Sequence, residues 1–273
     1  MKVQLQILGR FLGQPPVHGA YGLGSMSLAG LALAMPRLPG LRLPLYGVFA
    51  AVGMIAALWL SQKTAVRVGL AANRLWDAGL FVVMSGFVIS RLTLIAFDPR
   101  AFLRLPLVML ELPSFTWSDA ALTALAAGIY LRWKGIPLLA ALDAWAPCAA
   151  ALGAILGLGR WQEGADRGMP THLPWGPVAP GSAGLTHLQP VDLYAALASL
   201  VLLLILMKLL ESGSRRGRVA GVALLAFGGV SFLLDMLTQP EGGPGAWLDP
   251  VQWLAVGLML SGGLLLIFLP EAA

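Results

Sequence analysis

Hydrophobic and polar positions separate along this chain into blocks the length of membrane crossings. Seven apolar stretches run from about Tyr46 to Leu269: Tyr46–Leu60, Trp76–Phe97, Trp117–Leu131, Ile136–Leu158, Pro190–Leu210, Val219–Leu237 and Pro250–Leu269. Each is close to the ~20 residues that a helix needs to cross a ~30 Å hydrocarbon core. Arg91, Asp143, Arg160, Asp192 and Asp235 lie in or at the ends of these stretches. An ionised side chain near the bilayer centre costs at least ~2.5 kcal/mol, so such residues face a bundle interior, pair with one another, and mark a polar site. The pattern predicts an all-α polytopic membrane protein, a seven-helix transmembrane bundle with a polar interior.

Composition agrees, with 58% hydrophobic and 11% charged residues among 273, far from the balance of soluble domains. The net charge of +5 raises nucleic acid as a partner, but the basic residues fall in inter-helix loops rather than along one face or in a tail, so nucleic acid is excluded. Their distribution sets topology instead. Lys63, Arg67 and Arg74 follow the first stretch, Arg132 and Lys134 the third, and Arg215, Arg216 and Arg218 the fifth. An excess of Lys and Arg marks cytoplasmic loops, which places the N-terminus outside and the C-terminus inside. The expected organisation is an N-terminal arm at 1–44 on the outer membrane face, a transmembrane domain at 45–269 that includes an outer loop at 160–189, and a short cytoplasmic tail at 270–273. A single cysteine, Cys148, allows no intramolecular disulfide and no cysteine metal cluster; its small neighbours suggest a close-packed helix face. No metal or cofactor is expected.

The loop at 160–189 is rich in Gly and Pro and centres on Thr171-His172-Leu173-Pro174-Trp175-Gly176. A loop placed between two charged spans can cap a site. No internal repeat of the kind that builds inverted-repeat transporters is present, which argues against a small transporter. The polar groups expected at the outer half are Tyr46, Arg91, Arg160, Glu163, Asp166, Asp192, Tyr194 and Asp235. Arginines beside carboxylates form internal ion pairs; equally, the planar guanidinium fork suits phosphate oxygens, and a site open to lipid meets phospholipid headgroups first.

Leu45-Tyr46-Gly47 opens the first span, Ser90-Arg91-Leu92 lies late in the second, and Asp143 with Ala146-Pro147 lies in the fourth. Gly159-Arg160 ends the fourth, Pro190-Val191-Asp192-Leu193-Tyr194 opens the fifth, and Asp235 precedes Gln239-Pro240. The order of these motifs resembles the bacterial prolipoprotein diacylglyceryl transferases. The resemblance implies a multi-pass enzyme of the bacterial cytoplasmic (inner) membrane that moves the diacylglyceryl group of phosphatidylglycerol onto the cysteine thiol of a prolipoprotein lipobox peptide, leaving glycerol phosphate. By position it implies phospholipid binding for Arg160, Arg91, Tyr46 and Tyr194. Asp235 falls where the family has a glutamate.

The departures concern chemistry. The family's His-Gly-Gly element opening the third span is replaced by Ser114-Phe115-Thr116-Trp117-Ser118-Asp119, which has no histidine. Ser231 and Thr238 stand where two family arginines are expected, and Gln189, Asp192 and Ala195 replace the histidine, glutamine and glutamate of the fifth-span run. Transfer needs a base to make thiolate from a cysteine of pKa about 8.5, and electropositive groups for the departing phosphate. Candidates for the acid-base work are Asp235, Asp119 and His187, with His172 also in the loop. The alternative is a non-catalytic family relative that binds phospholipid or lipoprotein precursor.

Overall fold

The computed structural model describes residues 45–97, 116–164, 168–173, 176–178, 186–213, 215–239 and 248–268. The arm at 1–44, the tail at 270–273, and Asp166 and Trp175 of the outer loop lie outside the described residues. Seven helices fill the described residues: α1 Leu45–Arg67, α2 Ala72–Phe97, α3 Trp117–Trp133, α4 Leu138–Glu163, α5 Val191–Glu211, α6 Arg218–Asp235 and α7 Pro250–Phe268. They match the seven apolar stretches one for one. Two short strands, β1 Pro170–Thr171 and β2 His187–Leu188, pair antiparallel between α4 and α5. The apolar pattern does not signal these strands, which are too short for any alternation to register.

Six of the helices are long and apolar enough to cross a bilayer; α3, with 17 residues, is the short one. At 1.5 Å per residue α3 reaches about 25 Å, a little less than the hydrocarbon core. The exposed surface is oily and the interior partly polar, the reverse of a soluble domain. Ile55, Val66, Ile129, Leu204 and Ile267 stand out from the bundle, while Ser61, Thr64, Ser90, Arg91, Asp119 and Asp143 are buried.

The helix at the centre is α4, which packs against α1, α5 and α6 and touches α3. Its buried face is built from small residues, including Ala140, Ala141, Ala144, Ala150, Ala154, Gly157 and Gly159. Lipid tails are as apolar as leucine, so helices in a membrane associate through close packing rather than through exclusion from water, and small side chains permit it. A Cβ on Gly159 would lie 2.7 Å from Phe49 Cβ of α1, and one on Gly157 would lie 3.0 Å from the Ala196 backbone nitrogen of α5. Cys148 belongs to this packing: its buried thiol donates to the Ala144 carbonyl at 3.4 Å and approaches Thr64 Oγ1 at 3.8 Å.

Carboxylates hold the ends of several helices. The Thr116 side chain and the Asp119 side chain form a reciprocal capping box at the start of α3. Glu163, the last residue of α4, accepts the Tyr46 amide at 2.7 Å and so caps α1. At α6 the N-cap is Gly217, with φ of 90° and no side chain to offer. Asp143 of α4 supplies the missing acceptor, taking the Gly217 amide and, at 2.8 Å, the Ala220 amide.

These contacts define two ends of the bundle. At the Arg67 end α1, α3 and α5 finish and α2, α4 and α6 begin, with Arg67 paired to Glu211 at 3.0 Å. At the Tyr46 end the polarity is reversed.

Candidate functional site

The helix directions bring the residues singled out in the sequence, Asp143 excepted, to one end of the molecule, the Tyr46 end, but they form two groups there. The first is built on α1, α4, α5 and the loop between α4 and α5. Arg160 lies in the last turn of α4, its side chain 55% exposed, and its Nε lies 3.3 Å from Asp192 Oδ1 in the first turn of α5. Asp192 is the shielded partner, with a side chain 15% exposed. Among the described residues the two terminal guanidinium nitrogens of Arg160 have no partner. Tyr46 sits beside this pair through the Glu163 cap and through Gly159, where a Cβ would touch the Tyr46 ring at 3.4 Å.

The loop forms a compact hydrogen-bonded platform against these helices. Tyr194 donates to Gln189 Oε1 at 3.4 Å, and Gln189 Nε2 donates to Thr171 Oγ1 at 3.3 Å. His187 lies in β2, half-buried, with Nδ1 2.7 Å from the Gly176 carbonyl oxygen. A carbonyl can only accept, so Nδ1 carries the hydrogen and Nε2 of the neutral ring keeps its lone pair. Gly176 has room for no side chain, because a Cβ there would run into the Leu188 carbonyl. The segment 168–171 is stitched on its other side to the end of α6: the Met169 amide donates to the Leu237 carbonyl at 2.8 Å, and Gln239 Nε2 donates to the Gly168 carbonyl at 3.3 Å. Asp235, half-buried at the end of α6, accepts the Thr238 hydroxyl on its backbone carbonyl at 2.7 Å. His172 is exposed.

The second group lies between α2 and α3. Arg91 is buried, and its guanidinium carbon stands 5.2 Å from the Phe87 ring centroid. Asp143 lies away from Arg91: it caps α6 at the Arg67 end, whereas Arg91 lies late in α2, toward the Tyr46 end. Asp119 is 1% exposed, and its Oδ2 accepts the Thr116 hydroxyl at 2.7 Å and the Thr116 amide at 2.9 Å. The residue in the family's histidine element is thus engaged in holding a helix terminus.

Sequence reasoning did not select Asp192 for the site, although it noted the residue. The available signal was its position in the first turn of the fifth span, facing the end of the fourth. No spacing rule marks Gln189 or Thr171, whose roles depend on the hairpin.

A family model described as prolipoprotein diacylglyceryl transferase matches residues 34–268 of this chain. A phosphatidylglycerol–prolipoprotein diacylglyceryl transferase of Geobacter sulfurreducens is 33% identical over 254 residues, covering 86% of this chain and 92% of that protein. Proteins of the same name are 23% identical in Clostridium tetani, covering 82% of this chain and 92% of the relative, and 29% identical in Cupriavidus pinatubonensis, covering 80% and 83%.

Proposed function

The chain belongs to the prolipoprotein diacylglyceryl transferase family, and on that premise we propose that it transfers the diacylglyceryl group of phosphatidylglycerol to the cysteine thiol of a prolipoprotein lipobox, in the bacterial cytoplasmic membrane. The observation that carries this reading is Arg160. Its guanidinium stands at the Tyr46 end with Nε on Asp192 and its outer edge without a partner among the described residues, suited to two oxygens of one phosphate. Tyr46 lies beside it through the Glu163 cap and Gly159, and Tyr194 tethers the loop platform at the start of α5. The site end faces outward, where lipobox cysteines emerge.

In the reaction the thiolate sulfur bonds to the glyceryl carbon that carries the phosphate. The C–O bond breaks, and its electron pair leaves on glycerol phosphate. The base that makes the thiolate is His187, whose Nδ1–H is fixed on the Gly176 carbonyl and whose Nε2 is left to accept a proton. Asp119 is a positioning residue for α3 in this reading. Asp235 lies at the end of the helix to which the loop platform is tied. Turnover is slow, because a positioned acid-base group and charge-stabilising groups are each worth ~10²-fold or more in rate, and this chain has Ser231 and Thr238 where arginines are expected.

A second reading, a relative that binds lipid without transfer, is favoured by one observation: the Asp119 carboxylate is engaged by Thr116. Purified protein given phosphatidylglycerol and a lipobox peptide separates the two. Release of glycerol phosphate together with thioether formation, abolished in His187→Gln, is the result expected. Phosphatidylglycerol binding without any release would establish the second reading, and turnover undiminished in His187→Gln would remove the assigned base.

A further inference from the structure

Arg160 presents two edges to hydrogen-bond acceptors, and the structure fills one of them with a carboxylate. Asp192 Oδ1 lies 3.3 Å from Nε, and of the pair it is the aspartate that is shielded, 15% exposed against 55% for the arginine. The backbone of Asp192 is closely packed: its carbonyl would lie 3.0 Å from a Cβ on Gly157, where α4 and α5 cross. An anion arriving on the outer edge of the guanidinium therefore shares one cation with a carboxylate already seated on it.

We propose that Asp192 is the charge-selecting residue of this phosphate site, matching it to a phosphodiester with one negative charge and against a phosphomonoester dianion. The proposal rests on the phosphate-binding role of Arg160 argued above. The Asp192 carboxylate meets one negative charge when a diester binds and two when a dianion binds, so it disfavours the dianion more. Phosphomonoesters lose their second proton near pH 6, so the distinction holds at neutral pH. The partly shielded side of the pair strengthens the repulsion relative to open water.

This selectivity bears on the transfer reaction through its charge balance. A thiolate and a diester, each carrying one negative charge, become a neutral thioether and a glycerol phosphate dianion. The phosphate group thus acquires its second charge when the C–O bond breaks, and Asp192 then disfavours the product relative to the next phosphatidylglycerol. Asp192 thereby acts as a product-expelling residue without touching the reacting carbon.

The test is displacement of a fluorescent phosphatidylglycerol from the purified full-length protein by two soluble competitors, glycerophosphoglycerol, a diester, and glycerol phosphate, a monoester. The wild type should prefer the diester. In Asp192→Asn the ratio of half-displacing concentrations, monoester over diester, should fall about tenfold, the order expected for one partly screened charge contact. An unchanged ratio in folded Asp192→Asn protein, checked by its elution volume and circular dichroism, would overturn the proposal while leaving the transfer reading intact. If the variant does not fold, the wild type alone still decides: preference for the monoester overturns the proposal and preference for the diester upholds it. Failure of the fluorescent lipid to bind at all would sink the phosphate assignment itself, an outcome distinct from the others.

Discussion

Asp143 offers a sharp test of how this bundle is held together, because its carboxylate does for α6 what the α6 sequence cannot do for itself. Gly217 at the N-cap has no side-chain oxygen, and Asp143, 3% exposed, accepts the Gly217 and Ala220 amides. Removing an N-cap acceptor costs ~1 kcal/mol and up to ~2. The negative charge on the helix dipole adds as much as ~2 kcal/mol in a partly buried site, and each buried amide left unpaired costs ~1–3 kcal/mol. Against these stands the relief of no longer burying a carboxylate, which returns several kcal/mol. The orphaned amides decide the sign, since they belong to the backbone and remain after the substitution. Asp143→Ala should lose about 2–4 kcal/mol, and Asp143→Asn, which keeps one acceptor and the shape, about 1–2 kcal/mol. Equilibrium unfolding in mixed detergent micelles, followed by tryptophan fluorescence, reads this directly. If Asp143→Ala unfolds at the same detergent composition as the wild type, the amides have other partners and the reasoning fails.

Three further outcomes are expected. Arg160→Lys keeps the charge but loses the planar fork, so phosphatidylglycerol affinity should fall about tenfold with expression unchanged, and Arg160→Ala should abolish binding; unchanged binding in the alanine variant would remove the site assignment. In a Cys148→Ala background, single cysteines placed in 212–218 should resist an impermeant thiol reagent in intact cells, and cysteines in 160–189 should react; labelling in 212–218 would reverse the orientation. Gly168→Ala forces a methyl into the Gln189 backbone, so it should free the loop and expose 168–189 to limited proteolysis while leaving the helix content of the membrane domain unchanged; a protease-resistant loop would show that the backbone shifts to make room.

The spans were legible because each is a continuous apolar run, and periodicity needs no tertiary information to find it. Most of the polar groups were legible as interior residues but not by role. Thr116-x-x-Asp119 is the spacing of a capping box, yet its place in an element associated with catalysis pulled the reading toward chemistry. The role of Asp143 was not legible because its partners lie 74 and 77 residues further along and are backbone amides, which no side-chain pattern announces. The Arg160–Asp192 pair falls between these cases: both residues were visible, but only the crossing of α4 and α5 at Gly157 sets the contact.

The double attachment of α6 also bears on the order of assembly. One end of α6 waits on Asp143, 74 residues earlier than Gly217, and the far end receives the Gly168–Gln239 contact across 71 residues. At ~5–20 residues per second of synthesis, α4 and its following loop exist for about 4–15 s before the segment that locks both can arrive. During that interval the loop has only its own hairpin and Tyr194 at the start of α5 to hold it, and the α6 segment ties it down when it comes. A chain stalled after α5 would therefore hold its phosphate-facing arginine followed by an unfastened loop, already made but not yet a site.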